Sequence, residues 1–201
     1  MSSPHPTPNP RFAEFRALLA ANTAWFQRWK GTFYRFQGID YPAPTQILNG
    51  EGARRRGGRW NRPGLSTIYG SLSDVTALEE CKANDRYYGV VTKSPRLLVA
   101  VDASLTATLD LTSTAVRRAL NVTLEELDSE DWRKIQQQGF ESVSQALGRA
   151  AAACSASGLL VNSAAVPQGV NLVIFPGNRS ADRLKVVNEE RLLTLGIKTR
   201  A

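Results

Sequence analysis

Apolar residues recur at near-helical spacing between Arg11 and Lys30, where Phe12, Phe15, Leu18, Leu19, Trp25 and Phe26 share a side. The pattern predicts a helix over 11–30, closed by Gly31. Thr32–Gln37 then alternates apolar and polar residues, as a strand does, with Arg35 on the face opposite Tyr34 and Phe36. Pro42 and Pro44 mark a loop, Gln46–Leu48 a short element, and Asn49-Gly50 a turn. Ser66–Gly70 reads as a buried strand. Ser73 or Asp74 caps a helix running to about Asp85. Strands are predicted at Pro95–Asp102 and Leu109–Leu111, and a helix opens at Thr112 or Ser113 and runs through Leu120. Thr123 and Glu126 have capping-box spacing, and Ser129–Gln137 is polar around Trp132. In Phe140–Ser155, Phe140, Val143, Leu147, Ala150, Ala151 and Cys154 form the stripe of a good helix. Gly158–Val161, Asn171–Phe175 and Leu184–Val187 are the remaining strand candidates. The arrangement is α+β: a single domain with a mixed or antiparallel sheet and surrounding helices. A regular βαβ alternation is missing, and no G-x-G-x-x-G follows a strand.

A chain of 201 residues, 42% hydrophobic and 21% charged, suits one domain with a real core. Residues 1–10 hold four prolines and no apolar run, so they read as a disordered tail rather than a secretory signal; the domain spans 11–201. No stretch of 18 apolar residues is present, so no membrane helix is expected. Cys81 and Cys154 read as free thiols of a reducing cytoplasm.

Charge and histidine change the picture more. The formal net charge is +7, and 19 of the 25 basic residues are arginine, which favours planar, bidentate recognition of phosphate or carboxylate. His5 is the sole histidine and lies in the proline-rich tail. Ser-His-Asp triads, Cys-His dyads, histidine zinc sites and histidine general acids are thereby excluded. An enzyme built on this chain works with carboxylates, Tyr, Ser and Arg, and no metal site is expected.

The densest chemistry lies in GEGARRRGGRWNRPG, residues 50–64, with five glycines and five arginines against one glutamate. Glycines let backbone amides approach a phosphate, arginines supply forked donors, and Trp60 offers a flat face. Composition leaves three readings open: an anion-binding wall, a solvated basic loop, or a non-catalytic nucleic-acid patch.

Four segments in order carry a family resemblance. They are YRF with Arg35; the Arg/Gly segment followed by IYGS with Tyr69; DVTALEE, whose Glu80 lies eleven residues after Tyr69; and LLVNSAAVPQGVNLVIFP with Ser163. Over about Phe33–Phe175 the chain resembles the RES-domain toxins of bacterial toxin–antitoxin pairs. It departs from them at Asn162, where a proline often precedes the serine. The resemblance implies a fold similar to ADP-ribosyltransferases and diphtheria-like toxins. It implies that NAD⁺ is consumed as substrate at the nicotinamide–ribose bond, by hydrolysis or phosphorolysis, or that ADP-ribose is transferred to a protein. It also implies an Xre-like helix-turn-helix antitoxin as partner, with nucleic acid reached only through that partner, and growth arrest as the outcome.

The resemblance gives the residues roles. Breaking the nicotinamide–ribose bond passes through an oxocarbenium-like state, and nicotinamide leaves as a neutral base, so no general acid is required. Glu80 would stabilise the developing charge or hold a ribose hydroxyl. Its neighbour Glu79 has Lys82 at i+3 and reads as the solvent-facing member, whereas Thr76, Ala77, Ala83 and Asn84 leave space beside Glu80. Arg35 would hold a phosphate or ribose, Arg59 or one of Arg54–Arg56 the pyrophosphate. Tyr69 would pack on the nicotinamide or position it, Trp60 would offer a flat face to a ring of the bound NAD⁺, and Ser163 would hydrogen-bond a ribose or nicotinamide group.

Overall fold

The computed structural model describes residues 6–39, 41, 43–89, 95–178 and 182–187. His5 and the first residues of the proline-rich segment lie outside them. The described part of that segment is docked, not free: Thr7 N–H donates to the Gly139 carbonyl, and the Asn9 N–H to Glu141.

Helix α1 covers Arg11–Ala21 and buries Phe15 and Leu19, one turn apart. It is shorter than the periodicity predicted. A 3-10 turn at Thr23–Trp25 follows, and strand β1 runs over Phe26–Gly38, straight through Gly31. The long partner strand β3, Arg96–Asp110, decides this: Phe26 pairs with Leu109 and Lys30 with Ser104, contacts that local spacing does not encode. Between these strands come α2 (Pro44–Ile47), α3 (Glu51–Arg56), β2 (Ile68–Ser71) and α4 (Asp74–Tyr88). Pro44 opens a helical turn, where its missing N–H costs nothing. Ser73 caps α4 by accepting from Thr76 N–H, and α4 ends at left-handed Gly89, later than expected.

Beyond β3, three short helices follow: α5 (Thr114–Ala119), α6 (Leu124–Ser129) and α7 (Trp132–Gln137), capped by Ser113, Thr123 and Asp131. Helix α8 is Val143–Ala153. Phe140 stands before it and is exposed, because the Ser142–Gln145 capping box starts the helix later than the stripe suggested. Glu130 strengthens that start, accepting from the N–H groups of Val143 and Ser144 at 2.6 and 3.1 Å. Strands β4 (Gly158–Asn162), β5 (Val170–Ile174) and β6 (Arg183–Val186) complete the chain.

The sheet order is β1-β2-β5-β4-β3-β6, and an added β1–β3 pairing closes five strands into a ring. All pairings are antiparallel except β3 with β4, so the sheet is mixed. Alternation then makes two cores. Phe33, Ile68, Val101, Leu172 and Ile174 pack together with Ile47. Leu159, Val161, Val173 and Phe175 point the other way, against α1 and α8. Each fully buried side chain of this size contributes roughly 1.5–3 kcal/mol.

Candidate active site

The Arg/Gly segment is folded by uncharged groups. The Asn61 amide donates to the carbonyls of Ala53, Arg62 and Leu65 at 3.0–3.1 Å, and its Oδ1 accepts the Tyr69 hydroxyl at 2.7 Å. Tyr69 Oη accepts the Trp60 N–H at 2.9 Å. The tyrosine reaches this position only because residue 58 is glycine: a Cβ there would lie 2.5 Å from the phenol oxygen. Gln145 of α8 donates to the carbonyls of Gly58 and Asn61. Gly148 lets the same helix sit on the segment, since a Cβ there would meet the Trp60 carbonyl at 2.0 Å.

This segment faces α4 and α7 across a cleft of about 950 Å³, at the upper end of the ~300–1,000 Å³ usual for small-molecule sites. Tyr69, Val161, Asn171 and Val173 of the sheet also line it. Glu80 lies on its wall, on the α4 face that also presents Ala83 and Asn84. Glu80 Oε1 accepts two hydrogen bonds, from Ser163 Oγ and from Asn171 Nδ2, both at 2.7 Å. Oε2 takes none among the described residues. Ser163 Oγ in turn accepts the N–H groups of Ala165 and Val166, and Ser71 Oγ donates to Asn171 Oδ1 at 2.6 Å, fixing which end of the amide faces Glu80. Glu79 points away and pairs with Lys82 at 2.7 Å, as the spacing predicted.

The arginines divide. Arg54 and Arg55 bind Glu51 at the surface, holding its carboxyl down at about 2. Arg59 lines the cleft and reaches the Leu127 and Glu130 carbonyls; burial lowers its pKa, which Asp128 and Glu130 partly restore. Burial raises the Tyr69 phenol, which stays neutral, and raises Asp128. Trp60 also lines the cleft, but its side chain is largely buried in the core. Arg56 and Arg133 are further cleft-lining arginines, and Arg96 is a fourth, paired with Asp85 at 2.7 Å.

Tyr69, Glu80, Ser163, Arg59 and Trp60 are thus brought to one place. Arg35 is not. It follows Phe33 by two on β1, so it leaves the strand on the side of the Ile47 cluster and donates to the Ile47 carbonyl at 2.8 Å. Burial pushes its pKa down to about 10, and its Nε has no partner among the described residues. Asn171, Ser71, Asn61 and Gln145 went unnoticed in the sequence. A polar residue inside the apolar run of β5 was the available signal for Asn171; a lone Asn or Gln elsewhere gives none. The described residues hold no group of three His, Cys, Asp or Glu side chains placed for a metal.

The RES-domain family model matches residues 32–195. The chain belongs to the RES-domain family. Among curated RES relatives, the NAD(+) phosphorylase MbcT of Mycobacterium bovis and that of Mycobacterium tuberculosis are each 33% identical over 153 residues, covering 73% of either chain. The RES fold here also superposes on the crystal structure of the M. tuberculosis MbcT–MbcA toxin–antitoxin complex with a TM-score of 0.63 and 24% identity. That match covers 94% of this chain and 98% of the other.

Proposed function

We propose that this chain is a toxin that destroys NAD⁺ by cleaving the nicotinamide–ribose bond, with phosphate as the acceptor. The observation that carries the reading is the Glu80 carboxylate, held at Oε1 by Ser163 and Asn171 on the wall of an arginine- and glycine-lined cleft. The relatives named as NAD(+) phosphorylases support both substrate and acceptor.

In this reading the C–N bond between ribose C1 and nicotinamide breaks, and its electron pair leaves with neutral nicotinamide. Positive charge grows on the ribose, and the preorganised Glu80 carboxylate opposes it through Oε2. A phosphate oxygen then bonds C1, giving ADP-ribose carrying a 1-phosphate. Ser163 and Asn171 keep the carboxylate from turning. Tyr69 holds the Trp60 backbone and closes the cleft beside it, and Arg59 and Arg56 draw the pyrophosphate. Arg35 secures β1 to α2 rather than touching substrate. The fold is read as ADP-ribosyltransferase-like, and the partner as an antitoxin with an Xre-like helix-turn-helix module that supplies any contact with nucleic acid.

Mass analysis of products from purified protein and NAD⁺ tests this. With phosphate added, ADP-ribose phosphate and nicotinamide should appear in equal amounts. ADP-ribose alone, regardless of phosphate, overturns the acceptor. Label fixed in a lysate protein means ADP-ribosyl transfer instead. No nicotinamide release under any condition overturns the function.

A further inference from the structure

The cleft extends well past Glu80, and its far end has a different chemistry. Glu80, Ala83, Asn84, Tyr87 and Tyr88 line it at i, i+3, i+4, i+7 and i+8, one face of α4. At a rise of 1.5 Å per residue, the tyrosine pair stands about 10–12 Å along the helix from the carboxylate. Ala83 and Asn84, between them, are short. Gly57, Gly58 and Arg59 line the same cleft.

Tyr87 and Tyr88 are large aromatic residues left 45% and 53% exposed on the cleft, with their rings 5.2 Å apart and edge to face. The guanidinium of Arg133 lies 4.5 Å from the Tyr87 ring, 5.5 Å from Tyr88 and 4.4 Å from Trp132. It is fixed there by a hydrogen bond to Asn84 Oδ1 at 2.9 Å, and it makes no ion pair among the described residues. The Tyr87 hydroxyl donates to Asp131 at 3.2 Å. Three rings and a planar cation are therefore held in place by neighbours, yet two of the rings remain open to the cleft. Such surfaces take nucleobases: bases stack on aromatic rings and on guanidinium planes, with little dependence on which base is bound.

We infer that the Tyr87–Tyr88–Arg133 cluster is the seat of the adenine base, so the substrate lies along α4 with its nicotinamide ribose at Glu80 and its adenosine at the C-terminal end of the helix. This rests on the NAD⁺ reading of the Glu80 site and deepens it. The order of chemistry along the cleft matches the order in a dinucleotide. A carboxylate sits at one end of the α4 face and an aromatic platform at the other, and the glycines and arginines of the same cleft are available to two phosphates. The base keeps the same contacts with Tyr87 and Tyr88 in the ground and transition states, which is uniform binding that sets KM rather than kcat.

The test compares the wild type with Tyr87→Ala/Tyr88→Ala on two substrates, NAD⁺ and nicotinamide mononucleotide, which has the same scissile bond but no adenosine. Both tyrosines are exposed, and an unchanged melting temperature verifies that the variant folds. The double variant should raise KM for NAD⁺ by about tenfold or more, change kcat less than twofold, and leave kcat/KM for the mononucleotide as it was. Tyr87→Phe/Tyr88→Phe should behave as wild type, since rings rather than hydroxyls do the stacking. An unchanged KM for NAD⁺ in the alanine variant overturns the inference, as does an equal loss on both substrates. Calorimetric binding of ADP-ribose separates this inference from the catalytic reading. Tyrosine-dependent binding without NAD⁺ turnover sinks the catalytic reading and keeps the platform; ADP-ribose binding indifferent to the tyrosines sinks the platform.

Discussion

The wall of the cleft formed by residues 50–64 carries five arginines, yet almost none of its architecture depends on them. Asn61, Tyr69 and Gln145 hold it, while Arg54 and Arg55 spend their charge on Glu51 at the surface and Arg59 reaches backbone carbonyls. The facing wall carries a single carboxylate, Glu80, and two side chains from distant parts of the chain converge on one of its oxygens. One wall is thus basic and generic in use; the other sets one carboxylate beside Arg133 and Arg96 and is specific in geometry. The difference teaches that charge density alone does not single out a residue, whereas convergence of donors singles out the carboxylate we propose for catalysis.

The sharpest way to break the contrast is Glu80→Ala. It should lower NAD⁺ turnover by ~10²–10³-fold and abolish growth arrest, with the melting temperature nearly unchanged, since a partly open carboxylate is removed rather than core. Turnover within a few-fold of wild type would dissolve the distinction between the walls. Asn61→Ala comes next, and acts on the other wall by a different route. It strands three carbonyls and the Tyr69 hydroxyl in a buried place, so urea denaturation should read a loss of roughly 2–3 kcal/mol. A neutral result would mean the arginines, not the asparagine, hold the segment.

Asn171→Leu removes one donor to Glu80 and keeps the volume. A loss of about tenfold in kcat is expected, with KM for NAD⁺ little moved, as steady-state kinetics would show. A KM effect without a kcat effect would make Asn171 a substrate contact rather than a positioning residue. The smallest effect belongs to Arg54→Ala/Arg55→Ala. Exposed pairs contribute little, so neither the unfolding midpoint nor kcat/KM should change by more than about twofold in the corresponding equilibrium or rate. A large rise in KM would instead place these two arginines on the substrate.

Much of the site was legible because it is local. Glu80 was separated from Glu79 by the i+3 lysine, and the structure shows that same Glu79–Lys82 pair. Ser73, Ser113 and Thr123 announced their helices by hydroxyl chemistry at the right offset. The segment at 50–64 was marked by glycine and arginine alone. What was illegible is non-local. The helical stripe over 11–30 broke at Asn22 because β3 supplied strand partners from Phe26 onward. Arg35 sat in a resembling motif, but the alternation of β1 carries it with Phe33 to the side away from Glu80.

The sequence by itself determined the class of fold, the histidine-free chemistry, the basic wall and the identity of the candidate carboxylate. The first three follow from composition and periodicity; the carboxylate follows from the family resemblance, with the i+3 lysine of Glu79 in support. Only the tertiary structure decided which polar groups meet: Asn171 and Ser163 with Glu80, Asn61 with Tyr69, and Gln145 with the Arg/Gly segment. Those partners lie 8 to 91 residues apart. A hydrogen bond across such a span is set by how the strands close their ring, a property of the whole chain and not of any stretch of it.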